Sequence, residues 1–154
     1  VHVTGSTHRE DGLRDVQTAE VHDRLVRRLV AKIERARNEI AQVDVDVDDD
    51  ASLAVLAYGA TARPAKGAVL RARAEGHRVG FIRPVTIWPF PIDEIRRSCS
   101  NLKRLLVPEM NLGQLVREVE RHVDCEVVPL SKIGGVVHTS SEILSAITEA
   151  DKRC

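Results

Sequence analysis

A chain of 154 residues with 43% hydrophobic residues can build one ordinary core and is too short for two comfortable domains. Its 23 lysines and arginines balance its 23 aspartates and glutamates, so no excess of basic charge indicates a nucleic-acid partner. Because no apolar run approaches the length that spans a bilayer, we expect a protein that is not embedded in a membrane.

The chain opens with Val1-His2-Val3, which predicts one short strand, and continues as a polar loop to Gly12. His8, Glu10 and Asp11 in this loop are residue types that bind metals or ligands. The alternative is simple solvation, which is the more common state of polar residues in a glycine-bounded loop.

Thr18 fits the N-cap of an amphipathic helix of about two dozen residues, whose apolar stripe needs a partner surface. The stripe consists of Val21, Leu25, Leu29, Ile33 and Ile40. The segment from Asp44 to Asp50 alternates like an edge strand but carries five aspartates, whose repulsion favours a solvated linker. We therefore divide the chain into residues 1–50 (entry loop, long amphipathic helix and acidic linker) and 51–154 (an α/β domain).

The apolar run from Ser52 to Tyr58 predicts a buried strand, and Gly59 follows it directly. Thr61 is then expected to cap a helix that runs to about Glu75. Unpaired amides at such a helix start can bind a phosphate or a carboxylate. One glycine without a GxGxxG or GxxxxGK[ST] pattern is weak support for nucleotide binding, so plain capping is the alternative.

A strand from Arg78 to Ile82 leads into Thr86-Ile87-Trp88-Pro89-Phe90-Pro91, where prolines exclude both a strand ladder and a helix interior. Prolines hold the preceding residues extended, so Trp88 and Phe90 are presented in a nearly fixed direction. These aromatic side chains pack either on the domain's own core or against another domain or subunit.

Pro91 fits the first turn of the next helix, and Lys103 to Val107 predicts a third strand that Pro108 terminates. Polar residues follow that strand end, and we select Glu109, Asn111 and Gln114 as candidates for an interface or an anion site. Strand and helix alternate to the end of the chain through the remaining elements: a helix with Leu115, Val119 and Val123, a strand from Cys125 to Leu130, and a helix with the capping box Thr139-x-x-Glu142.

This alternation predicts an α/β fold with a mostly parallel sheet covered on both faces. Ligands or partners are expected at the carboxyl ends of its strands, where the segments 59–61, 86–91 and 109–114 all lie.

Three cysteines without a CxxC pair are typical of reduced thiols in the cytoplasm. The histidines are scattered without helix-ligand spacing, so we predict no metal. The segment has neither a GDG…N pattern nor a cysteine set for a cluster, so we expect no cofactor bound by it, and we select no catalytic residue. The start at Val1 without methionine or a leader suggests a piece of a longer polypeptide.

The chain carries four blocks in this order: Tyr58-Gly59-Ala60-Thr61, Gly76-His77-Arg78-Val79-Gly80, the Trp-Pro-Phe-Pro loop and Val107 to Leu115. In this order and spacing they resemble the second domain of the alpha subunit of 2-oxoacid:ferredoxin oxidoreductases. The opening loop through His8 to Gly12 is similar to the loop that precedes this domain in the 2-oxoglutarate type.

The resemblance implies a transketolase C-terminal-like fold, which is a three-layer α/β/α sandwich with a mixed, mainly parallel five-stranded sheet. It implies an enzyme complex that converts a 2-oxoacid and coenzyme A to an acyl-CoA and carbon dioxide while reducing ferredoxin. Thiamine diphosphate, Mg²⁺ and iron–sulfur clusters are implied for the whole complex. The implied partners are the remainder of the alpha subunit, a thiamine-binding beta subunit and ferredoxin, in an oligomer.

Within such a complex this segment is expected to act as a structural and subunit-docking domain. Two other hypotheses stay open on the sequence: a free-standing interaction module anchored by Trp88 and Phe90, and a small-anion-binding domain that uses the helix at Thr61.

Overall fold

A computed structural model describes residues 5–153, so the predicted strand at Val1 to Val3 and Cys154 lie outside the described residues. The contacts within the chain divide it into two compact units, Val1–Ile40 and Ala41–Cys154. In the part of the chain that the structure describes, no helix combines the length and the apolar character needed to cross a membrane.

The first unit consists of a polar loop and two helices, α1 (Ala19–Arg35) and α2 (Arg37–Ile40). The predicted single helix is interrupted at Ala36, which closes α1 as its C-cap. Thr18 occupies the predicted N-cap position, but its side chain caps nothing; the Asp15 carboxylate instead accepts hydrogen bonds from the Thr18 amide and hydroxyl. Of the predicted apolar stripe, Val21 and Leu25 are buried and Leu29 is exposed.

The second unit contains five strands and four helices. In chain order they are β1 (Val43–Asp46), β2 (Leu53–Leu56), α3 (Gly59–Ala74), β3 (Val79–Pro84), α4 (Ile92–Ser98), β4 (Arg104–Glu109), α5 (Gln114–Val119), β5 (Glu126–Ser131) and α6 (Ser140–Asp151). The strands form one sheet in the order β1-β3-β2-β4-β5, in which only the β1–β3 pair is antiparallel. The prediction of a mixed, mainly parallel five-stranded sheet is confirmed.

Two apolar clusters cover the two faces of the sheet, and the central strand β2 contributes to both. Leu53 and Val55 join the side chains of α3 and α6, whereas Ala54 and Leu56 join those of α4 and α5. All four residues of β2 are fully buried, because alternate side chains of a central strand point to opposite faces. The three-layer α/β/α arrangement is therefore confirmed.

The acidic segment 44–50 is not the solvated linker that the aspartates predicted, because its first part is the edge strand β1. Arginines from neighbouring elements offset the charge: Arg83 lies 3.4 Å from Asp44, and Arg73 lies 3.0 Å from Asp46. Arg73 also donates to the carbonyl oxygen of Asp46. An edge strand can carry charged side chains in this way, and the charges discourage pairing with another chain.

Pro108 does not terminate the third predicted strand, because β4 continues through it to Glu109. The carbonyl of Glu109 accepts a hydrogen bond from Lys132 next to β5, so the backbone of Pro108 faces the opposite neighbour, β2. Pairing with β2 ends at Leu106, two residues earlier. The N–H that proline lacks therefore falls beyond the end of that ladder.

The predicted capping box that starts the last helix is confirmed. The Thr139 hydroxyl accepts from the Glu142 amide at 3.2 Å, and the Thr139 amide donates back to the Glu142 carboxylate. Lys132 donates to the same carboxylate at 2.8 Å. This lysine, together with the Thr139 amide and hydroxyl, lowers the pKa of Glu142 to about 2.

Candidate functional site

The carboxyl edge of the sheet carries the three segments selected from the sequence. The first is the turn from β2 to α3, where Gly59 opens the helix with a φ of +55°, a conformation that glycine adopts without strain. Thr61 does not cap this helix, because the N-cap is Tyr58. Thr61 lies in the first turn, is 3% exposed and donates its hydroxyl to the carbonyl of Tyr58 at 2.7 Å. That hydroxyl is therefore engaged inside the fold.

The second segment is the proline-rich loop from β3 to α4, in which one aromatic side chain is buried and the other is exposed. Phe90 is 5% exposed and belongs to the apolar cluster that also contains Ile82 and Ile95. Trp88 is 63% exposed. Phe90 thus packs on the domain's own core, which removes it from the candidates for an interface, and it holds a loop from which Trp88 projects.

The third segment is the turn from β4 to α5, and its polar side chains point inward. The buried Glu109 carboxylate accepts from the amides of Leu115 and Val116 at 2.9 and 3.2 Å. Asn111 Oδ1 accepts from the amides of Gly113 and Gln114 at 3.0 and 2.8 Å. Together they satisfy the amides from Gly113 to Val116, which are the donors that a helix start leaves unpaired. These four amides are therefore not available to an external anion.

With the polar groups engaged inside, mainly apolar side chains face outward from these loops. The exposed apolar residues, which we name the carboxyl-edge group, are Val85, Ile87, Trp88 and Leu112. They lie on the loops after β3 and β4, and both loops lead to helices on the same face of the sheet. Gln114 is exposed next to them.

Leu112 is 70% exposed and was not selected from the sequence. The sequence feature that could have identified Leu112 is an apolar residue inside a turn, between Asn111 and a glycine of positive φ. A side chain at such a position points away from the core.

A cavity of about 490 Å³ lies beside the first turns of α3. Its charged lining is mixed, since Arg63, Lys66 and Arg83 face Asp44 and Asp46. The three basic side chains exceed the two aspartates by only one, so the lining lacks the strong basic excess typical of a small-anion site, and the anion-binding hypothesis stays a prediction.

Of the three candidates in the opening loop, His8 and Asp11 are engaged locally and Glu10 is exposed. His8 Nδ1 lies 3.0 Å from the carbonyl of Ser6, and Asp11 accepts from the Leu13 amide while it pairs with Arg9 at 3.3 Å. Over residues 5–153, no group of three or more histidine, cysteine or acidic side chains could hold a metal ion. The chain has three cysteines, one fewer than the usual ligand set of an iron–sulfur cluster. These residues do not fit the cofactors that the resemblance implies for the whole complex.

Comparison with protein families identifies residues 51–143 as a match to "Pyruvate:ferredoxin oxidoreductase core domain II". Among curated proteins, the 2-oxoglutarate synthase subunit KorA of Methanothermobacter marburgensis is 46% identical over 149 residues, which is 96% of this chain and 40% of that subunit. KorA of Methanocaldococcus jannaschii is 42% identical over 149 residues, again 96% of this chain and 40% of the relative. The chain therefore spans about 40% of the length of these relatives.

A relative named for another substrate is more distant. The ketoisovalerate oxidoreductase subunit VorB of Methanothermobacter thermautotrophicus is 38% identical over 120 residues, which is 77% of this chain and 33% of that subunit.

Two solved structures share the fold. One is 2-oxoglutarate:ferredoxin oxidoreductase from Magnetococcus marinus with 2-oxoglutarate, coenzyme A and succinyl-CoA bound; its TM-score is 0.74 at 25% identity, over 97% of this chain and 26% of that one. The other is a split gene transketolase, an inactive beta4 tetramer, with a TM-score of 0.59 at 18% identity, over 72% of this chain and 41% of that one. The second shows the transketolase-like fold alone.

Proposed function

This chain belongs to the pyruvate:ferredoxin oxidoreductase core domain II family, and from that premise we propose that it is part of a KorA-type subunit of a 2-oxoglutarate:ferredoxin oxidoreductase. The proposed reaction of the whole complex converts 2-oxoglutarate, coenzyme A and oxidised ferredoxin to succinyl-CoA, carbon dioxide and reduced ferredoxin. This segment serves as a docking and structural domain and carries none of the reacting groups.

The identity of the relatives supports 2-oxoglutarate as the substrate. Relatives named for 2-oxoglutarate reach 46% identity over 96% of the chain, whereas those named for ketoisovalerate reach 38% over 77%. The similarity to the 2-oxoglutarate relatives also extends over nearly the whole chain, including the unit of residues 1–40. The free-standing interaction module is not favoured, because the same 96% aligns within a longer enzyme subunit.

The observation that carries the docking role is the exposure of Trp88 on a loop that buried Phe90 anchors. A large aromatic side chain in a fixed position loses little conformational entropy when a partner covers it, which is why such residues dominate interface energies. Leu112 adds a second exposed apolar side chain at the same edge of the sheet, after β4, which β2 separates from β3. The proposed occupants are the remainder of the subunit and a thiamine-binding partner subunit.

The cofactors of the proposed reaction belong to other parts of the complex. Thiamine diphosphate with Mg²⁺ would supply the decarboxylation chemistry, and iron–sulfur clusters would pass electrons to ferredoxin. Among the described residues, no group of three or more histidine, cysteine or acidic side chains could hold a metal ion. The cytoplasmic location and the oligomeric state predicted from the sequence are parts of the same proposal.

The test is a substrate comparison with the full-length subunit co-purified without oxygen with its partner subunit. We expect reduction of a viologen dye that requires coenzyme A and has its highest kcat/KM with 2-oxoglutarate, and at least about tenfold lower values with pyruvate and 3-methyl-2-oxobutanoate. A preference for either of the other 2-oxoacids would overturn the substrate assignment. Absence of any 2-oxoacid-dependent reduction by a complex loaded with its cofactors would overturn the proposed function.

A further inference from the structure

Two cysteines of the second unit lie together at the edge of the sheet opposite to the carboxyl-edge group. Cys99 closes α4 as its C-cap and is 3% exposed, and Cys125 directly precedes β5 and is half-buried. Both pack in the same apolar cluster. Arg96 on the last turn of α4 donates to the carbonyl of His122, which ties the end of that helix to the segment that carries Cys125.

The two thiols affect each other's acidity. The neighbouring Cys125 raises the pKa of Cys99, and burial raises it further. Cys99 in turn lowers the pKa of Cys125, against the opposing effects of burial and of the Asp124 carboxylate. Cys125 is also the more accessible of the two. The pair therefore combines an accessible nucleophile with a protonated, buried thiol in contact with it, which is the arrangement of a reacting and a resolving cysteine.

We propose that Cys99 and Cys125 form a reversible disulfide when the protein meets a hydroperoxide. The Cys125 thiolate attacks the peroxide, so that an S–O bond forms, the O–O bond breaks and the peroxide leaves as water or an alcohol. The Cys99 sulfur then attacks the sulfenic acid on Cys125, so that the S–S bond forms and the S–O bond breaks. The hydroxyl leaves as water with the proton of Cys99. Two electrons pass from the two thiols to the peroxide, and a dithiol reductant returns them.

The position of this bond gives it a defined consequence. It links the end of α4 to the start of β5 and closes the chain from residue 99 to residue 125, which restrains the unfolded state. The linked segments lie at the amino ends of the parallel strands, away from Trp88 and Leu112. We expect oxidation to stabilise the domain and to leave the carboxyl-edge group unchanged. This inference does not depend on the proposed function.

The experiment uses the chain of residues 1–154 with Cys154→Ser, which removes the third thiol. Reduced protein is treated with a small excess of hydrogen peroxide under native conditions and then alkylated. The expected result is a mass loss of about 2 Da without alkylation, a cross-linked peptide pair that contains residues 99 and 125, and a Tm higher by roughly 5 °C or more. Dithiothreitol should reverse all three changes.

The matched variants separate the roles of the two cysteines. With Cys99→Ala, peroxide should leave Cys125 as sulfenic and then sulfinic acid. The pH at half-maximal alkylation of Cys125 should rise, since the neighbouring thiol that lowers its pKa is gone. With Cys125→Ser, buried Cys99 should resist peroxide. The proposal is overturned if native wild-type protein keeps both thiols free, if Cys125 is over-oxidised as fast as in Cys99→Ala, or if the cross-link appears only in denaturant.

Discussion

Replacing each aromatic residue of the proline-rich loop by alanine tests whether Trp88 faces a partner while Phe90 holds the loop. Truncating a buried phenylalanine costs about 3–5 kcal/mol of unfolding free energy, and Phe90 is 5% exposed. Trp88 is 63% exposed, so only about a third of its side chain is covered and its truncation should cost about 1–2 kcal/mol. We therefore expect Phe90→Ala to destabilise the isolated chain more than Trp88→Ala, by about 1–4 kcal/mol.

Urea unfolding followed by far-UV circular dichroism measures this difference, because Trp88 is the only tryptophan and fluorescence is lost in its variant. The m-value should stay constant across the variants, since none changes the surface exposed on unfolding by much. In the full-length subunit, Trp88→Ala should weaken the binding of the partner subunit by about 2 kcal/mol, or roughly 30-fold in Kd, as measured by calorimetric titration.

Leu70→Ala is the matched control, because Leu70 is 55% exposed but lies on α3 outside the carboxyl-edge group. It should change the stability of the isolated chain by no more than about 0.5 kcal/mol and leave assembly unchanged. Two results would refute the reasoning: a loss from Trp88→Ala equal to that from Phe90→Ala in the isolated chain, or equal losses of assembly from Trp88→Ala and Leu70→Ala.

Three further changes test the interior of the second unit. Glu109→Ala leaves two buried amides of α5 without acceptors and should cost about 2–5 kcal/mol in urea unfolding, with about half of that recovered by Glu109→Gln. Gly80→Ala places a Cβ 2.7 Å from a methyl group of Val47 and should cost about 1–3 kcal/mol in the same assay. The pKa of His138 is lowered, first because the side chain is buried and second because Lys132 is near. The unfolded chain therefore binds a proton at this residue more readily than the folded chain does. The free energy of unfolding that this residue contributes is highest above the ordinary histidine pKa of 6.5 and falls as the pH drops below it. His138→Gln should flatten that part of the Tm-against-pH profile.

Each of these changes has a control at an exposed position. Glu120→Ala removes an exposed carboxylate at the end of α5, Gly5→Ala adds a methyl group to open space, and His22→Gln removes an exposed imidazole from α1. All three should stay within about 0.5 kcal/mol of the wild type. A Glu109→Ala variant as stable as Glu120→Ala would disprove the capping role, and parallel pH profiles for His138→Gln and wild type would disprove the effect of His138. Equal stabilities of Gly80→Ala and Gly5→Ala would show that Val47 moves aside without cost.

The parts of the fold that local sequence determines were predictable. The apolar run of β2, the glycine after it and the capping box at Thr139 each identify an element within a few residues of its observed bounds. The alternation of strands and helices then leaves a parallel sheet as the arrangement that buries them all. No local sequence signal predicted that β1 runs antiparallel to its neighbour. The mixed five-stranded sheet was predicted only through the family resemblance.

The edge strand β1 could not be predicted because its stability depends on distant residues. Within the segment, five aspartates repel one another and favour solvent. The offset comes from Arg73 on α3 and Arg83 on β3, which lie 27 and 39 positions away in sequence from the aspartates they contact. The charge pattern along the chain therefore shows the repulsion between the aspartates, but it does not show the distant arginines that offset this repulsion.

The same limit applies to the carboxyl edge, where the sequence located the candidate segments but not the direction of their side chains. Glu109 and Asn111 follow a strand, which is where polar residues commonly bind ligands in open α/β sheets. Both side chains instead turn inward and satisfy the amides at the start of α5. With those four amides bonded, the loops after β3 and β4 expose Trp88 and Leu112. Exposed apolar side chains beside a helix start whose amides are already bonded are suited to bury protein surface, which is why we interpret these two loops as a docking site.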